Sequence, residues 1–411
     1  MTNGPRVYVP RVVAVVALVA VGITARLAIG AAPGPSSATS RALQSGLSAV
    51  ACPSPGRCVA VGFAGSLYGV GVPLAMGSAG GAWSVQPAGQ PSQVAGSVLA
   101  DVACLSPSAC VAVGHQDVPA PYFGAPSAGG APLVEAWDGD GWQIRAAPMP
   151  TGAVDAQLSG VDCASTICVA VGLAETTKGR EIPFAESWDG TDWTVGQVPI
   201  PPFADDSELD DVACASRRSC VAVGHYTYEA QIFAGTAPLV EAWDGSAWSI
   251  EPSDNPKGSK DTELAAVACP SPGRCLAVGF QRSAGGRSTT FAEISVGAAW
   301  TISATVDPPR SPVTKLADVD CPLADRCMAV GEQRGHAGVS TFAESWDGVR
   351  WALERSPNPA GSVSSALIGV DCPSPTACVA VGGYRQRSLV ERAFAAAWDG
   401  SSWTIERLGV A

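Results

Sequence analysis

The chain has 411 residues and a formal net charge of −12, from 25 basic and 37 acidic side chains. No basic stripe is present to displace counterions from a phosphate backbone, so nucleic acid is not an expected partner. With 47% hydrophobic and 15% charged residues, the composition excludes a disordered tail and a helical repeat built on Glu and Lys, while 46 Gly and 33 Pro signal many turns.

The first element in chain order is an apolar run at residues 12–25, preceded by Arg6 and Arg11 and interrupted by Arg26. Its length suits a signal peptide and falls short of the ~20 residues that cross a bilayer as a helix. Because residues 27–32 continue apolar and no sharp cleavage site follows, an uncleaved anchor with Arg26 snorkelling is the alternative. Either reading puts the protein outside the cell, secreted or on the outer face of the membrane, with membrane contact through this segment alone. A Gly/Pro/Ser-rich stretch at 34–40 leads into the rest. Residues 1–46 are thus expected to be leader or anchor plus linker, and 47–411 one folded ring.

From about residue 47 one unit recurs seven times. It reads V-x-C, a short turn, C-V-A-V-G or a close variant, a longer segment, then W-D-G-x-x-W in five copies and its last Trp alone, Trp83 and Trp300, in copies one and five. A period near 50 residues means stacked supersecondary units rather than separate domains. The distance from the second cysteine of a copy to its last Trp varies, whereas the distance from that Trp to the next first cysteine is 21 residues each time. Length changes are therefore confined to the segment after V-A-V-G, which reads as a loop, since a paired strand cannot change length freely.

Each copy offers four strands: V-x-C, C-V-A-V-G, the run ending in W-D-G, and the run opening with the last Trp. Asp-Gly between apolar runs favours a tight hairpin turn, and no stretch sustains a 3.6-residue period. The expected fold is all-β: a seven-bladed β-propeller of four-stranded antiparallel blades, one intra-blade disulfide per blade.

The 14 cysteines fall into seven close pairs. These are Cys52 with Cys58, Cys104 with Cys110, Cys163 with Cys168, Cys214 with Cys220, Cys269 with Cys275, Cys321 with Cys327, and Cys372 with Cys378. With three His in the chain and no C-x2-C knuckle, zinc is not expected. Local disulfides are, and they require an oxidising compartment.

Gly382, Gly383 and Tyr384 in the last copy resemble the double-glycine-and-tyrosine signature of Kelch blades. Across about residues 47–407, the paired cysteines and S-W-D-G-x-x-W repeats resemble secreted repeat propellers of actinobacteria. That resemblance implies a fold and an export route and no particular activity.

Several repeated residues have a structural and a functional reading. The paired indoles are expected to pack between blades, with Asp-Gly as turn; the rival reading is an Asp-box-like site for sugar or calcium. Glu135, Glu186, Glu241, Glu293 and Glu344 recur two residues before the first Trp position, with Met76 and Ala396 in copies one and seven. A buried row of this kind needs donors from backbone amides or arginines of a neighbouring blade. The run Asp205, Asp206, Glu208, Asp210, Asp211 lacks EF-hand spacing and reads as a solvated charge run.

Strand alternation puts disulfide turns and W-D-G turns on one face of the ring and the variable segments on the other. The two longest variable segments carry His115, Tyr122 and Phe123 in copy two, and His225, Tyr226, Tyr228 and Phe233 in copy four. These are the candidate ligand-binding residues. Matched cysteines and the lack of an arginine cluster exclude a copper-oxidase or sialidase reading, and no catalytic residue, cofactor or metal is assigned. The leading expectation is an exported, non-catalytic binding or scaffold propeller, monomeric, meeting an extracellular glycan or protein through the variable face. A glycan-active hydrolase or lyase with its site at the ring axis, and a self-associating cell-envelope protein, are the alternatives.

Overall fold

C-V-A-V-G and its counterparts are almost continuously apolar because the strands they form are covered on both faces. In the first repeat, Cys58 and Ala60 face one neighbouring blade while Val59 and Val61 face the other. The computed structural model describes residues 43–66, 71–92, 94–117, 129–230, 233–309, 311–335, 338–388 and 390–409. The leader or anchor segment, Tyr122 and Phe123 lie outside the described residues. Among the described residues no helix is long and apolar enough to cross a membrane.

Seven blades follow one another, each a four-stranded antiparallel meander. Blade 1 holds β1 (Leu43–Ser54), β2 (Arg57–Ser66), β3 (Val72–Ala79) and β4 (Ala82–Gln86). Blade 2 holds β5 (Gly96–Ser106), β6 (Ala109–Asp117), β7 (Gly130–Trp137) and β8 (Trp142–Arg145). In blade 3 come β9 (Ala153–Ala164), β10 (Ile167–Thr176), β11 (Glu181–Trp188) and β12 (Trp193–Gly196). Blade 4 is β13 (Ser207–Ser216), β14 (Ser219–Ala230), β15 (Phe233–Trp243) and β16 (Trp248–Ile250). Blade 5 is β17 (Ser259–Ser271), β18 (Arg274–Ser283), β19 (Ser288–Val296) and β20 (Ala299–Ser303). Blade 6 runs through β21 (Val313–Leu323), β22 (Arg326–Gly335), β23 (Gly338–Trp346) and β24 (Trp351–Glu354). Blade 7 ends the ring with β25 (Ser364–Ser374), β26 (Ala377–Arg385), β27 (Glu391–Trp398) and β28 (Trp403–Gly409).

The seven expected disulfides are all formed, each stapling the first hairpin of its blade. From blade 1 to blade 4, Cys52 is bonded to Cys58, Cys104 to Cys110, Cys163 to Cys168, and Cys214 to Cys220. From blade 5 to blade 7, Cys269 is bonded to Cys275, Cys321 to Cys327, and Cys372 to Cys378. Closing so short a loop contributes about 2 kcal/mol each on the chain-entropy model. In blade 3 the pair has one residue fewer between its cysteines, and its tight turn puts Ser165 at φ 58°. Seven core clusters fill the seven gaps between adjacent blades, so the hydrophobic core is distributed around the ring.

The glycine ending each C-V-A-V-G run is dictated by a bulge in the strand beside it. Register slips between Leu209 and Asp211 on β13, and the bulge presses the backbone oxygen of Glu208 onto the place a Cβ at Gly224 would occupy. Gly62, Gly114, Gly172, Gly279, Gly331 and Gly382 meet the same obstruction. Only a residue without Cβ fits there.

The last Trp of every blade is buried, and in four blades its indole donates to the blade before. Trp83 donates to Glu406 at 2.6 Å, Trp142 to Gln86 at 3.1 Å, Trp300 to Glu251 at 2.6 Å and Trp351 to Ser303 at 3.2 Å. Trp403 Nε1 has no partner among the described residues; the equivalent acceptor, Glu354, accepts from Ser345 instead. In each W-D-G turn the Asp carboxylate accepts two backbone N–H groups, as Asp138 does from Asp140 and Gly141 at 3.0 Å. These carboxylates close turns, as the structural reading of the motif requires. The hydroxyls and amides of the turn hold Asp189 and Asp399 at about 2.

Ring closure needs no exchange of strands between the termini. Blade 1 and blade 7 each hold four strands of their own, and the end of β28 then pairs parallel with β4 through Arg407↔Ala82, Leu408↔Trp83 and Gly409↔Ser84.

Candidate functional site

The axis of the ring is a cavity of about 260 Å³ walled by the innermost strands of all seven blades. It gathers six aspartates, Asp101, Asp162, Asp211, Asp318, Asp320 and Asp371, and no Lys, Arg or His among the described lining residues. As a group they escape notice in the sequence, where Asp211 alone stands out, as the end of an acidic run. They occupy two positions, three residues and one residue before the first cysteine of a repeat.

Each carboxylate is used by the fold. Asp101 accepts the amide of Val102 in its own strand and that of Val161 in the next blade, both at 2.7 Å. Asp211 does the same with Val212 and Val267, and Asp318 with Val319 and Val370. One step along the strand, Asp162 accepts from Cys163 and Cys214, Asp320 from Cys372, and Asp371 from Cys52. The carboxylates are therefore blade-to-blade staples.

At the first of these positions blades 2, 4 and 6 carry Asp, whereas blades 1, 3, 5 and 7 carry Ala49, Gly160, Ala266 and Gly369. At Gly160 and Gly369 the obstacle to a larger residue is the backbone of the following blade. At Gly160 a Cβ would lie 2.7 Å from the Cα of Asp211. Burial pushes the acids up against the opposing pull of the amides: Asp101 to about 7, Asp162 and Asp320 to about 6, and Asp318 to about 8. Burial and the neighbouring aspartates lift Asp211 and Asp371 well above the usual carboxylate range.

The face opposite the disulfide turns carries the described candidates, His115, His225, Tyr226, Tyr228 and Phe233. In blade 4 the variable segment is not a free loop: β14 and β15 stay paired out to Ala230↔Phe233. Equal lengthening of both strands preserves their register, which is how a paired hairpin accommodates added residues. His225 on β14 lies opposite Glu208 on β13 and is buried. Its Nε2 is 3.1 Å from Glu208 Oε1, and its Nδ1 is 3.3 Å from Asp210 Oδ2. Burial opposes charge on this ring, but the hydrogen bond to Asp210 and the charges of Asp210, Glu208 and Glu263 outweigh it and raise the imidazole to about 9. The run from Asp205 to Asp211 is accordingly not a solvated strip: Glu208 and Asp210 clasp the histidine, and Asp211 staples the axis.

Glu208, Asp210 and His225 offer ligand atoms that all lie within 4.8 Å of one another. Because each ring nitrogen faces a different carboxylate, the arrangement as it stands suits a doubly paired imidazolium, and a metal would have to displace its proton.

His115 holds the same place in blade 2, but its strand neighbour is Val98 and Ala100 stands where blade 4 has Asp210. Burial lowers its pKa despite Asp117 and Asp155. Two histidines equivalent in sequence therefore differ in charge at pH 7. Tyr226 and Tyr228 alternate with His225 and stand on the other face of β14, their rings 6.2 Å apart. Blade 3 separates the two histidine positions.

The fully buried Glu row is partnered as its connectors allow. The connector six residues beyond the preceding blade's last Trp supplies a backbone N–H to three of them. Gly89 donates to Glu135 at 2.7 Å, Asp254 to Glu293 at 3.3 Å and Val306 to Glu344 at 3.0 Å. For Glu186 and Glu241 that residue is Pro148 and Pro199, which have no N–H, and both oxygens of each carboxylate lack a partner among the described residues. Burial pushes these two to about 8.

No protein-family model matches this chain, and a search of curated proteins found no match either. Solved structures do share its fold. A polysaccharide lyase described as an ulvan lyase, bound to a -[GlcA(1-4)Rha3S]- sugar, aligns with TM-score 0.54 at 10% identity, covering 89% of this chain and 96% of that one. A protein of unknown function from Dyadobacter fermentans aligns with TM-score 0.51 at 11% identity, over 89% of this chain and 96% of its own. The β-propeller domain of a protease from Pyrococcus furiosus, described as having an open velcro topology, gives 0.49 at 10% identity, over 90% and 100%. At such identities the likeness concerns fold alone.

Proposed function

We propose that this protein is an extracellular, non-catalytic binding or scaffold propeller whose variable face meets a glycan or protein. The observation that carries this reading is the use made of the axis. The place where a propeller enzyme would concentrate its chemistry holds carboxylates that accept backbone amides from adjacent blades. The opposite resource, length variation on a rigid scaffold, is gathered on the face that carries His115, His225, Tyr226 and Tyr228. Seven disulfides fit an oxidising compartment, and the cysteine-paired repeat resembles that of secreted actinobacterial propellers.

The test uses the full oxidised chain on glycan and peptide arrays, with uronic-acid polysaccharides and chromogenic glycosides assayed in parallel. Binding lost on Tyr226→Ala with Tyr228→Ala, and retained on Asp101→Asn, is the expected result. Turnover abolished by Asp101→Asn would replace this reading with an axial enzyme.

A further inference from the structure

One four-residue turn recurs in the connectors between the blades, and at its third position the sequence carries glycine in three connectors and Gln93, Phe203 or Arg310 in the others. In the connector before blade 3, Ala153 N donates to Pro150 O at 3.1 Å, and the third residue, Gly152, has φ 84°. Before blade 5 the turn runs from Pro256 to Ser259, with Gly258 at φ 83°. Before blade 7 it runs from Pro359 to Ser362, with Gly361 at φ 73°. Glycine is expected at a third turn position with positive φ. The connector before blade 6 closes likewise, Ser311 N to Pro308 O at 3.3 Å, and its third residue lies outside the described ones.

Before blade 4 the turn is Pro201-Pro202-Phe203-Ala204, closed by Ala204 N to Pro201 O at 3.2 Å. Phe203 occupies the glycine position at φ 63°, and it is 95% exposed. A bulky residue in the left-handed region is strained, and here the side chain gains no burial in return. The turn itself needs no aromatic, since glycine serves in three equivalent connectors.

The turn is fixed from both sides. Arg180 of blade 3 donates from Nε to Asp205 O at 2.8 Å and from Nη2 to Ala204 O at 2.7 Å. Thr227 of blade 4 exchanges backbone bonds with Asp205 and Asp206 at 2.9 and 2.8 Å, and its hydroxyl accepts from Asp206 N at 3.2 Å. Phe203 thus stands on a rigid mount beside the lengthened β14–β15 hairpin with Tyr226 and Tyr228. Around the mount, acids outnumber bases: Asp205, Asp206, Glu175 and Glu181 against Lys178 and Arg180.

We propose that Phe203 is the anchor of a protein-docking site on the variable face, inserting into an apolar pocket rimmed by Lys and Arg on a protein or peptide partner. The inference rests on the reading of that face as the binding face and narrows it to one residue and one partner chemistry. A protruding, pre-positioned aromatic suits a pocket, because its rotamers are few and its mount is already ordered. An acidic surround selects a basic rim and makes association salt-dependent. A sugar ring, which stacks flat on an aromatic face, gains little from a tip that projects into solvent on its own.

The probe is a random dodecapeptide library selected on the full oxidised chain, with Phe203→Gly as the decisive variant. Glycine is the residue three equivalent turns use, so this variant is expected to melt no lower than the parent. Selected peptides should combine apolar residues with Lys or Arg. They should bind the Phe203→Gly chain at least about 30-fold more weakly, and lose affinity as salt rises. Equal affinity for parent and variant, or selection of peptides without basic residues, overturns the proposal. If binding depends on Tyr226 and Tyr228 but not on Phe203, the anchor is wrong and the binding face stands. If it depends on none of the three, both readings fall. Sedimentation with phosphatidylcholine vesicles that is lost in Phe203→Gly would assign the residue to lipid insertion and equally overturn it.

Discussion

Replacing Glu241 with Met, the residue blade 1 carries at this place, should stabilise the protein in a pH-dependent way. Glu241 is fully buried, neither oxygen has a partner among the described residues, and its carboxyl is raised from its ordinary 4.5 to about 8. Between those two pH values the folded chain keeps a proton that the unfolded chain has released. Stability therefore falls as pH rises, by up to about 1.4 kcal/mol per unit, and levels off above the folded pKa. At pH 7 the accumulated cost is on the order of 3 kcal/mol. Met fills similar volume with nothing to ionise, so Glu241→Met should gain roughly that much at pH 7–8 and little near pH 4.5. Denaturant unfolding at several pH values between 5 and 8, with disulfides intact, measures the slope. Glu293→Met is the control: Ser253 Oγ and the Asp254 amide would lose their acceptor, and the protein should be destabilised. Pro199→Ala gives Glu241 a donor and should flatten the same slope. An unchanged slope in Glu241→Met, or equal losses at pH 5 and pH 8, would refute the reasoning.

Further expectations concern the bulge, the axis and the two histidines. Gly224→Ala should cost about 2–3 kcal/mol, seen as a lowered denaturation midpoint, because its Cβ meets the backbone of Glu208 and Leu209. Asp162→Asn should cost about 2 kcal/mol at pH 7, since one amide oxygen cannot replace two acceptors facing Cys163 N and Cys214 N. NMR titration should find His225 protonated until pH approaches 9 and His115 neutral at pH 7. The stability His225 contributes is full below its ordinary 6.5 and is lost as pH climbs through its folded value, so His225→Gln should flatten that upper window.

The fold is legible because the repeats agree on the same strand boundaries: paired cysteines fix one hairpin in all seven, Asp-Gly the other in five, and the constant Trp spacing fixes the connector. The axial staples were not recognised, because Asp is absent from four of seven copies at each of the two positions. The signal becomes visible once repeats are aligned on the first cysteine and the small residues following each upper Asp are noticed. From sequence the lengthened hairpin of blade 4 reads as a loop, because length alone does not distinguish unpaired residues from two strands grown equally. His115 and His225 looked equivalent by position. Their difference lies on the neighbouring strand, where Val98 and Ala100 stand in place of Glu208 and Asp210. Phe203 was overlooked for a related reason: its meaning comes from the glycines at the same turn in three other connectors.

Alternation of large and small at the axis carries a parity constraint. Around a circle, two kinds of site can strictly take turns only when their number is even, and seven is odd. The mismatch has to settle somewhere, and it settles where the last blade meets the first, with Gly369 beside Ala49 and Asp371 engaging Cys52 one step along. That junction is also where β28 of the last blade pairs with β4 of the first through three parallel residue pairs. Inserting an Asp-bearing blade at that joint, or deleting one of the two blades that meet there, would make the count even and remove the contact of small residue with small residue, while each alternating acid keeps the small neighbours it already has on both sides.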